Sequence, residues 1–113
     1  MRKIAMIGNE KIDNFEVVKL DKNVKGALNR YNHINQIASD INCLIITSDI
    51  NTVDEAILVQ MVYTKSMPIL TVGNVGNKFL NEVRTKHFNN IEDVTAYICN
   101  NNNNKAWSSL WIH

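Results

Sequence analysis

Short apolar runs alternate along the chain with longer segments of helical spacing. Lys3 to Ile7 is a short, continuously apolar run closed by Gly8-Asn9, which predicts a buried strand. Phe15 to Leu20 (Phe-Glu-Val-Val-Lys-Leu) predicts a second strand. Only about seven residues join the two, whereas a parallel crossover ordinarily takes a dozen or more. They are therefore expected to form an antiparallel pair or not to be neighbours. From Val24 to Asp40 the apolar residues Val24, Leu28, Tyr31, Ile34 and Ile37 recur at three- and four-residue steps, predicting a helix with one apolar stripe. Ile41 to Thr47, centred on Cys43-Leu44-Ile45-Ile46, shows no alternation and predicts a central strand covered on both faces.

The next segment opens on Thr52-Val53-Asp54-Glu55, a capping-box pattern. It predicts a helix to about Ser66, with Val53, Ala56, Ile57, Gln60, Met61 and Thr64 on one side. After Met67-Pro68 comes an apolar strand, Ile69 to Val72, which ends in Gly73-Asn74. Phe79 to Val83 predicts one or two helical turns and Lys86 to Phe88 a short edge strand. Asn90 is placed to cap a last helix, with Glu92 and Asp93 in its first turn and Val94, Tyr97 and Ile98 on its buried side. This alternation implies an α/β fold: a three-layer Rossmann-like/flavodoxin-like domain with a mostly parallel sheet of four to five strands.

The domain is expected over residues 1–100. An Asn-rich linker and a Trp-containing tail fill 101–113. Trp107, Leu110 and Trp111 fall on one face of a helical turn. They predict either a tail folded over its own domain or an anchor for a protein partner or self-association into an oligomer.

With 113 residues, 45% hydrophobic and 20% charged, the chain fits one globular domain. A net charge of +1 gives no field with which to grip nucleic acid or an anionic membrane. Lys22, Lys25 and Arg30, the densest basic stretch, read as a solvated helix face. No apolar run approaches a membrane span or a signal-peptide core, so a cytosolic (cytoplasmic) location is expected. Cys43 and Cys99 read as two buried, reduced thiols, and the histidines lack metal-ligand spacing, so neither metal nor cofactor is expected. Asparagine makes up about one residue in six, with frequent Ile and Lys. That usage points to an A+T-rich genome, such as a phage or low-GC bacterium.

In parallel sheets ligands bind beyond the carboxyl ends of the strands. Three apolar strands end here in Gly8-Asn9, in Ser48-Asp49 with Asn51, and in Gly73-Asn74. Glycine admits close backbone approach, and Asn, Asp and Ser can bond sugar hydroxyls or base edges. Each is also an ordinary turn residue. Asp49, Asp54 and Glu55 form the acidic cluster at this edge. Two carboxylates can serve a glycosidic bond as nucleophile and acid/base, which makes Glu55 and Asp49 the candidate catalytic pair. Glu55 is equally accounted for by the capping box, and Asp54 by the helix dipole.

The layout of residues 3–100 resembles the nucleoside 2-deoxyribosyltransferase-like family. The resemblance is carried by Lys3-Ile4-Ala5-Met6-Ile7-Gly8, Cys43-Leu44-Ile45-Ile46, the acidic stretch Asp49 to Tyr63, Met67-Pro68-Ile69-Leu70, and Phe88 to Ile98. It implies a nucleoside or nucleotide ligand, lined by Gly8, Asn9, Ser48, Asn51, Asp54, Gly73 and Asn74, and a glutamate nucleophile. Counted back from Pro68, however, the family's glutamate position falls on Leu58, and the loop from Asn9 to Asn14 has no room for the family's long first helix. The expectation is therefore a binding domain that has kept the fold, with N-glycosidic chemistry retained only if Glu55 has taken over the role. A second resemblance, to the small central-stalk subunit of vacuolar-type rotary ATPases, rests on the opening strand, the length and the C-terminal tail. It implies the alternative of a non-catalytic protein-interaction module, such as a phage regulator of a host protein or a stalk-type subunit.

Overall fold

A computed structural model describes residues 3–13, 15–75 and 77–100. Five strands, β1 (Lys3–Ile7), β2 (Glu16–Val18), β3 (Cys43–Ile46), β4 (Ile69–Val72) and β5 (Lys86–Phe88), form one sheet in the order β2-β1-β3-β4-β5. Every neighbouring pair is parallel. The helices are α1 (Ala27–Asp40), α2 (Val53–Thr64), α3 (Lys78–Val83) and α4 (Ile91–Asn100).

The central strands alternate between two apolar layers. Ala5, Ile7, Leu44, Ile46 and Ile69 face α1, α2 and α3, meeting Ile34, Ala38, Leu58, Val62 and Leu80. Ile4, Met6, Cys43, Ile45, Leu70 and Val72 face α4, meeting Val94 and Ile98. With both faces covered, continuous apolar runs are what these strands require. The result is the three-layer α/β fold expected from the alternation of elements.

The relation of β1 to β2 departs from expectation. The two are parallel neighbours, with Lys3 opposite Glu16 and Ala5 opposite Val18. The dozen-residue rule presumes a helical crossover. Among the described residues of the 8–15 link there is no helix, and a fully extended link of that length reaches about 26 Å, more than the roughly 17 Å needed to return along a five-residue strand. Ile12 and Phe15 from this link join the α4-side core, filling space that a crossover helix would otherwise cover.

Two helical faces also differ from those read off the sequence. Helix α1 begins at Ala27, after Gly26, rather than at Val24. Its buried residues are Ile34, Ile37 and Ala38, while Leu28 and Tyr31 are exposed. Fourteen residues make about 21 Å of helix, longer than the strands beneath, so its first turns overhang the sheet. In α2 the buried residues are Leu58, Val59 and Val62, not the expected Val53/Ala56/Gln60 side. Its sequence is apolar on every side, so spacing alone could not select the inner face. Cys43 is buried as expected, but Cys99 is exposed, one residue beyond the inward-facing Ile98. Lys22 and Lys25 precede α1 instead of lying on a helix face.

The proposed Trp107, Leu110 and Trp111 anchor lies outside the described residues. Among the described residues no helix is long and apolar enough to cross a membrane.

Candidate functional site

The order 2-1-3-4-5 places a topological switch point between β1 and β3. β1 continues outward to β2, and the chain then crosses back to β3. Loops leaving adjacent strands in opposite directions open a crevice at such a point. A cleft of about 530 Å³ lies there, within the range of small-molecule sites. The end of β1 (Met6, Ile7, Gly8, Asn9) forms its floor. One wall is the segment after β2, Lys19 to Lys22 and Val24, and the other is Ser48, Asn51, Thr52, Asp54 and Glu55 after β3, with Arg30 reaching in from α1.

Of the residues marked out in the sequence, Gly8, Asn9, Ser48, Asn51, Asp54 and Glu55 line this cleft. Gly73 lines a separate, smaller cavity of about 270 Å³ with Glu10, Thr47 and Asn90. Asp49 and Asn74 are exposed and line neither. The wall after β2 was not among the sequence candidates. Its signal, Lys19-Leu20-Asp21-Lys22, becomes readable only once β2 is known to run parallel beside β1 and to end at the same edge.

The local geometry defines what each group can do. Thr52 Oγ1 accepts from the Glu55 N–H (3.1 Å), and Glu55 Oε1 accepts from the Thr52 N–H (3.0 Å) and the Asn51 N–H (2.8 Å). The capping box therefore forms, and one oxygen of Glu55 is committed to two amides. Asp54 is held by Arg30 in a two-point fork, Nε to Oδ2 at 3.0 Å and Nη2 to Oδ1 at 2.6 Å. That bond, reinforced by the opposite charge, pushes the Arg30 guanidinium up from its ordinary value. The fork ties the overhanging start of α1 to the start of α2 across the cleft.

On the opposite wall, the Asp21 N–H donates to His33 Nε2 at 2.9 Å, so that nitrogen is the unprotonated one. Asp21 Oδ1 accepts from the Asn23 N–H. His33 thus pins the β2–α1 segment onto α1. Among the described residues neither Lys19 nor Lys22 has an ion-pair partner.

Gly8 has a structural explanation. Its φ is +125°, and a Cβ there would sit 1.8 Å from Thr47 Oγ1. The space above Gly8 is filled by its own neighbour, not held open for a ligand. Leu58 is buried between α2 and the sheet. Among the described residues no group of three or more His, Cys, Asp or Glu could hold a metal ion.

Fold and cleft together define the class: a parallel α/β domain of flavodoxin-like strand order with an open crevice at its switch point. No family model, curated protein or solved structure matches the chain.

Proposed function

We propose that the chain binds a nucleoside or nucleotide in the cleft at the carboxyl ends of β2, β1 and β3, and that it does so without cleaving the N-glycosidic bond. One observation carries this reading: the cleft coincides with the switch point and is lined by amide, hydroxyl and charged groups rather than by a closed apolar surface. Asn9, Ser48 and Asn51 supply donors and acceptors for a base edge or sugar hydroxyls. Lys19 and Lys22, on the far wall, favour a phosphate on the ligand. The resemblance of residues 3–100 to nucleoside 2-deoxyribosyltransferases points to the same ligand class.

Loss of catalysis is supported by three positions. Leu58 is an apolar core residue, Glu55 serves as a cap, and Asp49 lies outside the cleft that Glu55 lines. The alternative of a protein-interaction module draws support from the exposed Leu28 and Tyr31 on α1.

Thermal shift with a panel of nucleosides and nucleoside monophosphates tests the reading. Ligand at 100 times its Kd stabilises by about 2.7 kcal/mol, a rise of about 10 °C for a domain of this size. Lys19→Ala with Lys22→Ala should reduce the shift by the monophosphates and spare that by the nucleosides. No shift with any of them at millimolar concentration sinks the binding reading. Base exchange detected by chromatography sinks the non-catalytic part of it.

A further inference from the structure

Arg30 and Asp54 are the two cleft side chains that, among the described residues, hold each other by hydrogen bonds. Their fork takes the side-on edge of the guanidinium, Nε–H and one N–H of Nη2. A guanidinium carries five N–H donors in one plane. Its end-on edge, one N–H from Nη1 and one from Nη2, has no partner among the described residues. Two parallel donors, fixed in orientation by Asp54, are thus left to the cleft that Arg30 lines. Asn9 and Asn51 also carry planar polar groups at the cleft, but no hydrogen bond among the described residues orients their side-chain amides. They must be ordered as a ligand arrives, which costs affinity, whereas Arg30 is ordered beforehand.

Charge decides which acceptors suit that edge. Asp54 already matches the charge of Arg30, whereas Lys19 and Lys22 have no ion-pair partner among the described residues. An anionic phosphate gains more from the unmatched lysines, and the guanidinium edge suits a neutral pair of coplanar acceptors. Building on the nucleotide reading above, we propose that Arg30 selects a 6-oxopurine, guanine or hypoxanthine, by donating to its O6 and N7. These two acceptors lie side by side on one edge of the base. Adenine sets an N6 amino donor beside N7, so one N–H of Arg30 would face another N–H. Asp54 is the positioning residue that holds the guanidinium in plane.

Isothermal titration calorimetry of the full chain with the monophosphates of guanosine, inosine, adenosine and 7-deazaguanosine tests the proposal, because the phosphate is common to all four. The guanosine and inosine compounds should bind about tenfold tighter than the adenosine compound, or more, as a bidentate contact discriminates. The 7-deaza compound, with a C–H in place of N7, should lose most of that advantage. Arg30→Lys keeps the charge and removes the planar edge. It should bring the 6-oxopurines down to the level of the adenosine compound and leave the latter unchanged. Asp54→Asn should narrow the preference in the same direction, again without changing adenosine monophosphate binding. If circular dichroism shows that a variant does not fold, the 7-deaza comparison on the unaltered chain decides. Binding without preference for the 6-oxopurines, a 7-deaza compound that keeps the full advantage, a preference that survives Arg30→Lys, or an Arg30→Lys loss equal for all four overturns this proposal alone. Binding of none of the four overturns the nucleotide reading, and this one with it.

Discussion

Replacing Gly8 by alanine probes the turn that ends β1 at the floor of the cleft. Two separate costs arise. The backbone at φ +125° lies where side chains are disfavoured, and holding a non-glycine residue there costs about 1–3 kcal/mol. The new Cβ would also lie 1.8 Å from Thr47 Oγ1 and 3.1 Å from Thr47 Cβ. Relieving such overpacking takes a further ~1–3 kcal/mol. Alanine returns about 0.4–1 kcal/mol by restricting the unfolded chain. The net loss is about 1–5 kcal/mol with a midpoint near 3, against a total stability of roughly 5–15 kcal/mol for a domain of this kind. Gly8→Ala should therefore fold, with a lower urea midpoint, an unchanged slope and a Tm lowered by about 10 °C. The two costs separate in a double-mutant cycle. Thr47→Ala removes the nearest clashing atom and leaves the backbone strain, so the penalty of Gly8→Ala should fall by about 1–2 kcal/mol in that background. A loss below about 0.5 kcal/mol, within the range of neutral surface changes, refutes the strain argument. An identical penalty with and without Thr47 Oγ1 refutes the clash.

Thr52→Ala should cost about 1 kcal/mol in urea unfolding, the ordinary value of a lost N-cap. Glu55→Ala should cost a similar amount because the Asn51 and Thr52 amides lose their acceptor; Glu55→Gln, which keeps an acceptor, should lose less. His33→Ala should speed hydrogen exchange at the Asp21 amide and weaken ligand binding at that wall, with little change in overall stability, because the bond it removes is exposed. Burial pushes the Tyr97 phenol up. The fold favours its neutral form, so this contribution is fully present below the unfolded value of about 10 and is lost as pH rises through the higher folded value. In a chain carrying Tyr31→Phe and Tyr63→Phe, phenolate absorbance should appear at higher pH in the native protein than in urea. Coincident titration curves would remove burial as the cause.

The parts of the fold that follow from local pattern were legible in the sequence. Cys43 to Ile46 and Ile69 to Val72 read as buried strands because both are short runs without charge or alternation, Thr71 being their one polar member. The Thr52/Glu55 box and the Asn90 cap, whose Oδ1 accepts from the Asp93 N–H, were fixed by short-range chemistry. What local pattern did not carry was orientation. Helix α2 is apolar all round, so its inward side is chosen by packing against β3 and β4 and by Arg30 gripping Asp54, neither of which is encoded in spacing. Leu28 and Tyr31 keep helical spacing but overhang the sheet. Nothing in their own segment records where the strands stop.

The placement of β2 is the point on which fold and site depend together. Had residues 16–18 paired antiparallel to β1, the segment Lys19 to Val24 would leave at the opposite edge, and the cleft would lose the wall that carries both lysines. Parallel pairing with so short a link is open to this chain because Ile12 and Phe15 bury themselves against the sheet in place of a crossover helix. The short link therefore has one structural effect: it carries β2 back to run beside β1. The wall after β2, the end of β1 and the start of α2 then meet around one crevice, and what they bring to it are amides, hydroxyls, Lys19 and Lys22, and the carboxylates of Asp21, Asp54 and Glu55.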